Sequence, residues 1–445
     1  MITTTLKQLF LTNRLFWMLG ALAALFVLSF AVPPLFVIAQ ILLLLAIVLI
    51  VLDVWFLFNP SVQVAARRRT PKLLSLGDFN QIYLDLQNRS SILLTIQVID
   101  ELPVQFQIRD FVERIQLPAD TEHMLTYPLR PTTRGEYGFG AIHLYLNTAL
   151  GFIERRVSVD AAVTVPVYPS VIQMRQYELR AFHRVAQFQG IKKLRRIGHS
   201  YEFEQIKNYV RGDDYRSINW KASSRRAELM VNQYEDERAQ QVYSIIDKSR
   251  VMRLPFNGLS LMDYAINATL ALSNIALKKY DRAGLITFSD VIGATIKADS
   301  KTTQLQKILS ALYKEQERIL EANYELLYHA VHTLVSRRSL LLLYTNFESR
   351  YALERVLPLL RRINKFHLLV VIFFENTEIR NFARQPAHTL EDIYHQTVAQ
   401  QFLSEKVQMV QILRQHGIQA VCTSPEDLSM NTINKYLELK SRGLI

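Results

Sequence analysis

Two stretches of this 445-residue chain carry residue types and spacings that could do chemistry. The first is EFEQIKNYVRGDDYRSINWKASSRR, residues 202–226. It sets Asp213 and Asp214 behind Gly212, among Arg216, Arg225 and Arg226, with Tyr209, Tyr215 and Trp220 interleaved. Paired carboxylates are candidate acids or bases, and His199 lies nearby, but no nucleophile-plus-base spacing accompanies them. Eleven Lys or Arg against four acids between Arg184 and Arg226, with aromatics between them, would also suit stacking on nucleic acid. The acids sit inside the basic run and no recognised nucleic-acid motif is present, which argues against that use. The third reading is structural and recognition together. Gly212 suits a tight turn, and the arginines can pair with Asp213, Asp214, Glu202 and Glu204 through bidentate hydrogen bonds. Tyr209 and Trp220 then supply apolar bulk with a polar handle. The second stretch is Asp247-Lys248-Ser249, an acid and a hydroxyl two residues apart, a pair that suits a hard cation such as Mg²⁺.

The elements that must position these residues follow from hydropathy. From Leu15 to Val32 the chain is uncharged, Pro33-Pro34 follows, and a second uncharged run continues from Leu35 to Leu52. Each run is near the minimum for crossing hydrocarbon, so residues 1–60 predict a two-helix transmembrane hairpin with Trp17 and Trp55 as interfacial anchors. A cleaved signal peptide does not fit, because the second run follows at once. Lys7 and Arg14 precede the hairpin and Arg67, Arg68 and Arg69 follow it. The positive-inside rule then places both termini in the cytoplasm of a multi-pass protein. The formal net charge of +12 fits contact with anionic membrane lipids. The lone cysteine, Cys422, excludes an intramolecular disulfide and any CxxC metal site.

Residues 61–170 alternate with period two, as in QIYLDLQN and SILLTIQVID, which predicts an antiparallel β-sandwich with no catalytic constellation. Residues 171–240 hold the first chemistry-bearing stretch. From 241 to 445 near-continuous apolar strands alternate with helices, which predicts an α/β doubly wound, mainly parallel sheet. In such sheets sites lie at the C-terminal strand ends, here Asp247, Ser289 and Asn346.

The run GHSYEFEQIKNYVRGDDYRSINW, Gly198 to Trp220, closely resembles the signature of the domain-of-unknown-function 58 (DUF58) family. The matching residues are Gly198, Glu202, Phe203, Tyr209, Gly212, Asp213, Asp214, Arg216, Ile218, Trp220, Ser224 and Arg225, followed by Glu237 and Asp247. KKYDRAGLITFSD, the RGEYGFG and LGFIERR segments and the hairpin look like the family too. The resemblance implies a bacterial inner-membrane protein with a sandwich and a von Willebrand factor A-like domain. It implies an adaptor partnered by a MoxR-type AAA+ ATPase and by other membrane or cytoplasmic proteins, in complex assembly or envelope stress, and not an enzyme. Alternatives from the residues are a metal-dependent hydrolase built on Asp247, Ser249 and the Gly-Asp-Asp turn, or a nucleic-acid-binding membrane protein. The A-like fold implies a metal-ion-dependent adhesion site with the pattern D-x-S-x-S, a Thr on a second loop and an Asp on a third. Here Asp247 and Ser249 fit, Val251 stands for the second Ser, Asn346 for the Asp, and no Thr falls near Leu320 to Asn323. Losing a carboxylate and a hydroxyl weakens a hard-cation site, so the expected cofactor is none, with Mg²⁺ at a degenerate site the alternative. With that site lost, Asp247 and Ser249 cap the following loop.

The topology is tested by replacing Cys422 with Ser and placing a cysteine at Ser61. It is expected to stay protected from membrane-impermeant thiol reagents in intact cells and to react after lysis; labelling in intact cells sinks the hairpin orientation.

Overall fold

The computed structural model describes residues 8–170, 174, 202–210, 213, 215–235, 240–386 and 389–444, with the backbone alone at 202–205 and 233–235. The chain divides into two compact units, 1–168 and 169–445.

In the first unit a short strand, β1 (Leu9–Leu11), precedes two apolar helices, α1 (Asn13–Ser29) and α2 (Pro34–Leu57). Pro34 opens α2 at its first position, where a missing N–H costs nothing. At 24 residues α2 is long and apolar enough to cross a membrane, spanning about 36 Å at 1.5 Å per residue. The 17 residues of α1 are apolar but shorter. Both helices leave large apolar side chains uncovered, Trp17, Leu44 and Val51 among them.

The rest of the unit is strand. In order these are β2 (Val64–Arg69), β3 (Leu74–Ser75), β4 (Asn80–Asn88), β5 (Leu94–Asp100), β6 (Val112–Leu117), β7 (Thr121–Leu129), β8 (Gly135–Phe139), β9 (Ile142–Asn147), β10 (Ile153–Val159) and β11 (Val163–Tyr168). They form sheets ordered β1-β10-β9-β5-β6, β2-β4-β7 and β3-β11-β8, antiparallel except where β3 meets β11. The predicted alternation is present: Ile82, Leu84 and Leu86 of β4 and Leu94, Ile96 and Val98 of β5 are buried, while the residues between them face outward.

Both ends of the helix pair are tied to one segment of this unit. At the start, β1 pairs with β10 and the Thr12 hydroxyl donates to the Gly151 carbonyl at 2.8 Å. At the end, the buried Asp53 carboxylate accepts from the Phe152 and Ile153 amides at 2.9 and 3.1 Å and from the Thr148 hydroxyl. Arg155 donates to the Leu57 carbonyl and lies over the Phe58 ring. The first residues, expected to belong to the hairpin alone, are therefore also an edge of the sheet.

The basic flank after the helices corrects a second expectation. Arg68 is not a surface charge. Its guanidinium is buried, pairs with Asp100 of β5, and donates to the Gly140 and Ala161 carbonyls at 3.1 and 2.8 Å. Tyr127 of β7 donates to the same carboxylate. Arg69 pairs with Asp85. The sequence shows three adjacent arginines, but strand alternation sends the middle one into the core.

In the second unit β12 (Glu202–Asn208) and β13 (Met230–Glu235) form an antiparallel ribbon, with α3 (Trp220–Arg226) in the connection. Then come β14 (Gln241–Asp247), the two-residue pair β15 (Pro255–Phe256) and β16 (Leu259–Ser260), α4 (Leu261–Lys278), β17 (Arg282–Phe288), β18 (Ile292–Asp299), α5 (Gln304–Lys314) and α6 (Tyr324–Leu334). The unit closes with β19 (Leu340–Tyr344), α7 (Arg350–Phe366), β20 (Leu368–Phe374), α8 (Thr377–Phe382), α9 (Leu390–Gln415), β21 (Gln419–Thr423) and α10 (Leu428–Ser441). The sheet order is β18-β17-β14-β19-β20-β21, parallel except for the antiparallel edge strand β18.

Each apolar strand divides its side chains between two cores. Val242, Ile246, Leu340, Leu342 and Val370 pack with α4, α5 and α10. Tyr243, Ile245, Leu341, Leu343 and Val371 pack with α6, α7 and α9. This is why the strands read as unbroken hydrophobic runs.

Arg68→Met is expected to destabilise the first unit by about 3 kcal/mol or more, because it leaves Asp100 as an unpaired buried charge. Thermal melts of the detergent-solubilised chain check this: Arg68→Met/Asp100→Asn should recover much of the loss, and equal melts for wild type and Arg68→Met would refute the account.

Candidate functional site

The parallel register brings the C-terminal ends of β14 and β19 side by side, pairing Ile246 with Tyr344 and leaving Asp247 beside Thr345. A cavity of about 60 Å³ opens there, lined by Asp247, Ser249, Tyr324, Asn346 and, at its mouth, Arg250 and Arg355. Asp247 is fully buried. Its two carboxylate oxygens accept from the Ser249 amide at 2.9 Å and the Thr345 hydroxyl at 2.7 Å, and Thr345 in turn bonds the Tyr324 hydroxyl at 2.9 Å. Among the described residues no cation pairs with it. Burial therefore pushes the Asp247 carboxyl above its ordinary value of 3.8, against the hydrogen bonds that favour the anion. Tyr324 is raised as well, by burial and by the neighbouring carboxylate. The Ser249 hydroxyl is buried without a hydrogen-bond partner. Thr345 and Tyr324 were not foreseen as part of the site; the signal for Thr345 was its place at the end of the strongest apolar strand.

The loop between α5 and α6 is strapped over these strand ends. The amides of Arg250, Arg318 and Asn323 donate to the carbonyls of Leu320, Lys248 and Ser289. Beneath it Lys248 and Glu315 form a buried pair at 2.8 Å. Burial alone would raise Glu315, but Lys248, the Thr287 hydroxyl and the Ala294 amide outweigh it and hold the carboxylate below its usual range. A β-carbon at Gly293 would crowd the Thr287 hydroxyl, the Lys248 ammonium and the Glu315 carboxylate, so a side chain there would force this buried cluster to shift. At the mouth Arg250 meets Glu321 and Glu348, and Arg355 meets Glu321. These pairs are about half exposed and add little stability.

The residues present do not fit Mg²⁺. Both oxygens of Asp247 already accept hydrogen bonds, and Val251 supplies no oxygen. The Asn346 side-chain amide oxygen accepts from the Lys406 ammonium at 3.1 Å. That ammonium also donates to the Phe347 carbonyl and lies over the Phe373 ring, and burial depresses its pKa. A positive charge thus already occupies the third strand-end position. No group of three acidic, His or Cys side chains able to hold a metal occurs among the described residues.

In the first chemistry-bearing stretch, Asp213 is the one expected carboxylate whose side chain is described. Asp213 accepts from the Val210 amide and from Lys207, each at 3.0 Å, and these two contacts, the amide first, hold its carboxyl below the usual range. Among the described contacts, Arg216 sits over the Tyr215 ring and Arg225 is exposed in the last turn of α3; Asp214 and the side chains of Glu202 and Glu204, the other expected partners, lie outside the described residues. Trp220 is 70% exposed, so it is not the buried bulk expected, while Tyr209 is half-buried. Asn219 and Ser223 hold α3 to the ribbon instead. Asn219 caps the helix through the Ala222 amide, and the Ser223 hydroxyl accepts from the Met230 amide at 2.9 Å. Glu202 and Phe203 lie on β12, paired with Glu235 and Tyr234. Gly198, Gly212, Asp214 and Glu237 lie outside the described residues.

Asp247 yields a signed pH prediction. Its folded pKa is raised, so the native state holds the proton more tightly than the unfolded chain, and stability falls as pH rises from the ordinary carboxylate value through the folded one. Asp247→Asn is expected to melt at or above the wild-type temperature at neutral pH and to lose that part of the pH dependence, with millimolar Mg²⁺ moving neither curve. A lower melting temperature for Asp247→Asn, or a saturable Mg²⁺ shift in wild type, would overturn this account of the site.

Comparison with known proteins bears on the same region. The family described as "Protein of unknown function DUF58" matches residues 205–381, which include the ribbon and the strand-end cleft. The Bacillus subtilis (strain 168) protein "Uncharacterized protein YeaD" is 26% identical over 190 residues, 41% of this chain and 47% of the relative, so the match spans about half the relative's length. Among solved structures, the CARDB domain of a Pyrococcus furiosus protein overlaps 24% of this chain and 93% of its own at 14% identity and a TM-score of 0.17. Proximal thread matrix protein 1 from the mussel byssus overlaps 46% of each chain at 12% identity and a TM-score of 0.27. From the ribbon through α8, this chain is similar to DUF58 proteins.

Proposed function

We propose that this chain is a membrane-anchored adaptor whose second unit is a von Willebrand factor A-like interaction domain, working with a MoxR-type AAA+ ATPase in complex assembly or envelope stress. It acts by binding and not by catalysis. In this reading the two apolar helices form a hairpin in the bacterial inner membrane and both termini are cytoplasmic. The observation that carries it is the uncovered aromatic face of the ribbon: Tyr215 and Trp220 are 68% and 70% exposed, beside Val210 and Leu229, with Arg216, Lys221, Arg225 and Arg226 around them. Exposed aromatics rimmed by arginine are the composition of interface hot spots. The doubly covered, mainly parallel sheet is what an A-like domain requires and supports that part of the reading. A hydrolase gains no support from the cleft, where the carboxylate is engaged by neutral donors and the residues do not fit a metal.

The test is affinity purification of the full chain from its own cells in mild detergent, followed by mass spectrometry. An AAA+ ATPase is expected among the strongest partners, lost on deletion of residues 169–445 and reduced about tenfold by Tyr215→Ala/Trp220→Ala, equivalent to about 1.4 kcal/mol. Recovery of nucleic acid without an ATPase, or an ATPase unaffected by both changes, would refute the proposal.

A further inference from the structure

The end of the second unit's sheet opposite Asp247 holds a second cavity, of about 410 Å³. It lies where α6 and α7 finish and where β19 and β20 begin, and it falls within the 300–1,000 Å³ range of small-molecule sites. Its apolar wall is built from Val331, Val335 and Ile363, all buried. Tyr328 and Phe366 add two aromatic faces. The polar lining is basic: His332, Arg337, Arg338 and His367, with no carboxylate. The surrounding sequence agrees, having no acid between Glu325 and Glu348 or between Glu354 and Glu375.

One bland explanation is that these cations serve only the helix ends. A helix C-terminus carries about half a negative charge, and two finish here. The lining holds two arginines and two histidines and no carboxylate, more basic groups than two helix ends require. The Arg338 guanidinium has no ion-pair or hydrogen-bond partner among the described residues and is exposed at the rim. His367 is arranged differently. Its ring bonds the Arg337 carbonyl, which fixes the loop carrying both arginines, while its Nδ1 is buried without a partner. Burial lowers its pKa, which favours the neutral ring.

We propose that this cavity binds a phosphate monoester bearing a ring or acyl body, with Arg337 and Arg338 holding the phosphate and Tyr328 and Phe366 contacting the body. Planar guanidiniums match phosphate oxygens bidentately, two on one loop supply both sides of such a clamp, and the aromatic and aliphatic walls favour an apolar body over free phosphate. The same chemistry is offered by a soluble nucleotide and by a phosphatidic-acid headgroup. The site is independent of the ribbon and of the adaptor reading.

The experiment uses the full chain in phosphatidylcholine nanodiscs. Adenosine monophosphate and inorganic phosphate are titrated calorimetrically, and hydrogen exchange of residues 328–338 and 363–367 is compared with that in nanodiscs containing phosphatidic acid. Saturable adenosine monophosphate binding, competed by inorganic phosphate, supports the site with a soluble ligand. Slowed exchange in phosphatidic-acid discs without nucleotide binding supports it with a lipid ligand. In either case Arg338→Ala, at an exposed position, should weaken the effect at least tenfold with an unchanged melting temperature. No effect of any probe, or an effect that survives Arg337→Ala/Arg338→Ala in a protein that still melts as wild type, overturns the proposal.

Discussion

A six-stranded sheet buried on both faces constrains everything else in the second unit. Leu340 to Tyr344 are wholly buried, and so are six of the seven residues of β14 and of β20. Such strands have no solvated face on which to place a polar group, so chemistry is confined to the strand ends and to what lies outside the sheet. The two cavities follow that geometry, one at each end. The cleft at Asp247 is small and bordered by the loop that straps the strand ends. The opposite cavity is larger, basic and lined by aromatic side chains. The ribbon is a separate two-stranded sheet, and Tyr215 and Trp220 in its connection are exposed.

Burial also sorts the charged residues. Removing a charge from water costs several kcal/mol unless a partner and further hydrogen bonds meet it. Arg68 and Asp100 meet one another, two carbonyls and a tyrosine. Lys248 and Glu315 do the same with Thr287 and Ala294, and Asp281 is met by Lys440, Tyr436 and the Gln240 amide. Asp53 is met by two amides and a hydroxyl. Asp247, like Asp53, is met by neutral donors alone, and burial raises its carboxyl above the ordinary value. That makes it the place where protonation is tied most directly to stability, and where replacing the acid by its amide removes a burden without removing a hydrogen-bonding shape.

The strand-end site was partly legible. Asp247 and Asn346 stood at predicted strand ends, with Ser249 two residues beyond the first, and the cleft lining includes these three but not Ser289, the other predicted end. Thr345 adjoins the predicted Asn346 and was passed over, whereas Tyr324 and the Lys406 ammonium were not legible, because they come from other elements and nothing in local spacing joins them to the strand ends. In the ribbon, Asp213 chose Lys207 and a nearby amide over the arginines that follow it. The Val210 amide, three residues away, closes the turn without ordering a further side chain, while Lys207 is as long as an arginine and its selection was not encoded in local spacing. Trp220 misled for the opposite reason: aromatic bulk predicts burial only where a neighbouring surface is available to cover it.

Local pattern by itself determined the apolar helix pair, the alternating strands between residues 64 and 168, and the parallel sheet with helices between most strands. Those features rest on periodicities of two and 3.6 residues, which a chain displays before it folds. Tertiary structure alone decided which of three adjacent arginines enters a core, that β1 joins the sheet ahead of the first apolar helix, and that Lys406 takes the Asn346 side-chain amide oxygen. Each depends on groups about 30 to 145 residues apart meeting across a packed interior, where the low dielectric makes the choice of partner worth several kcal/mol. No periodicity in one dimension encodes that choice.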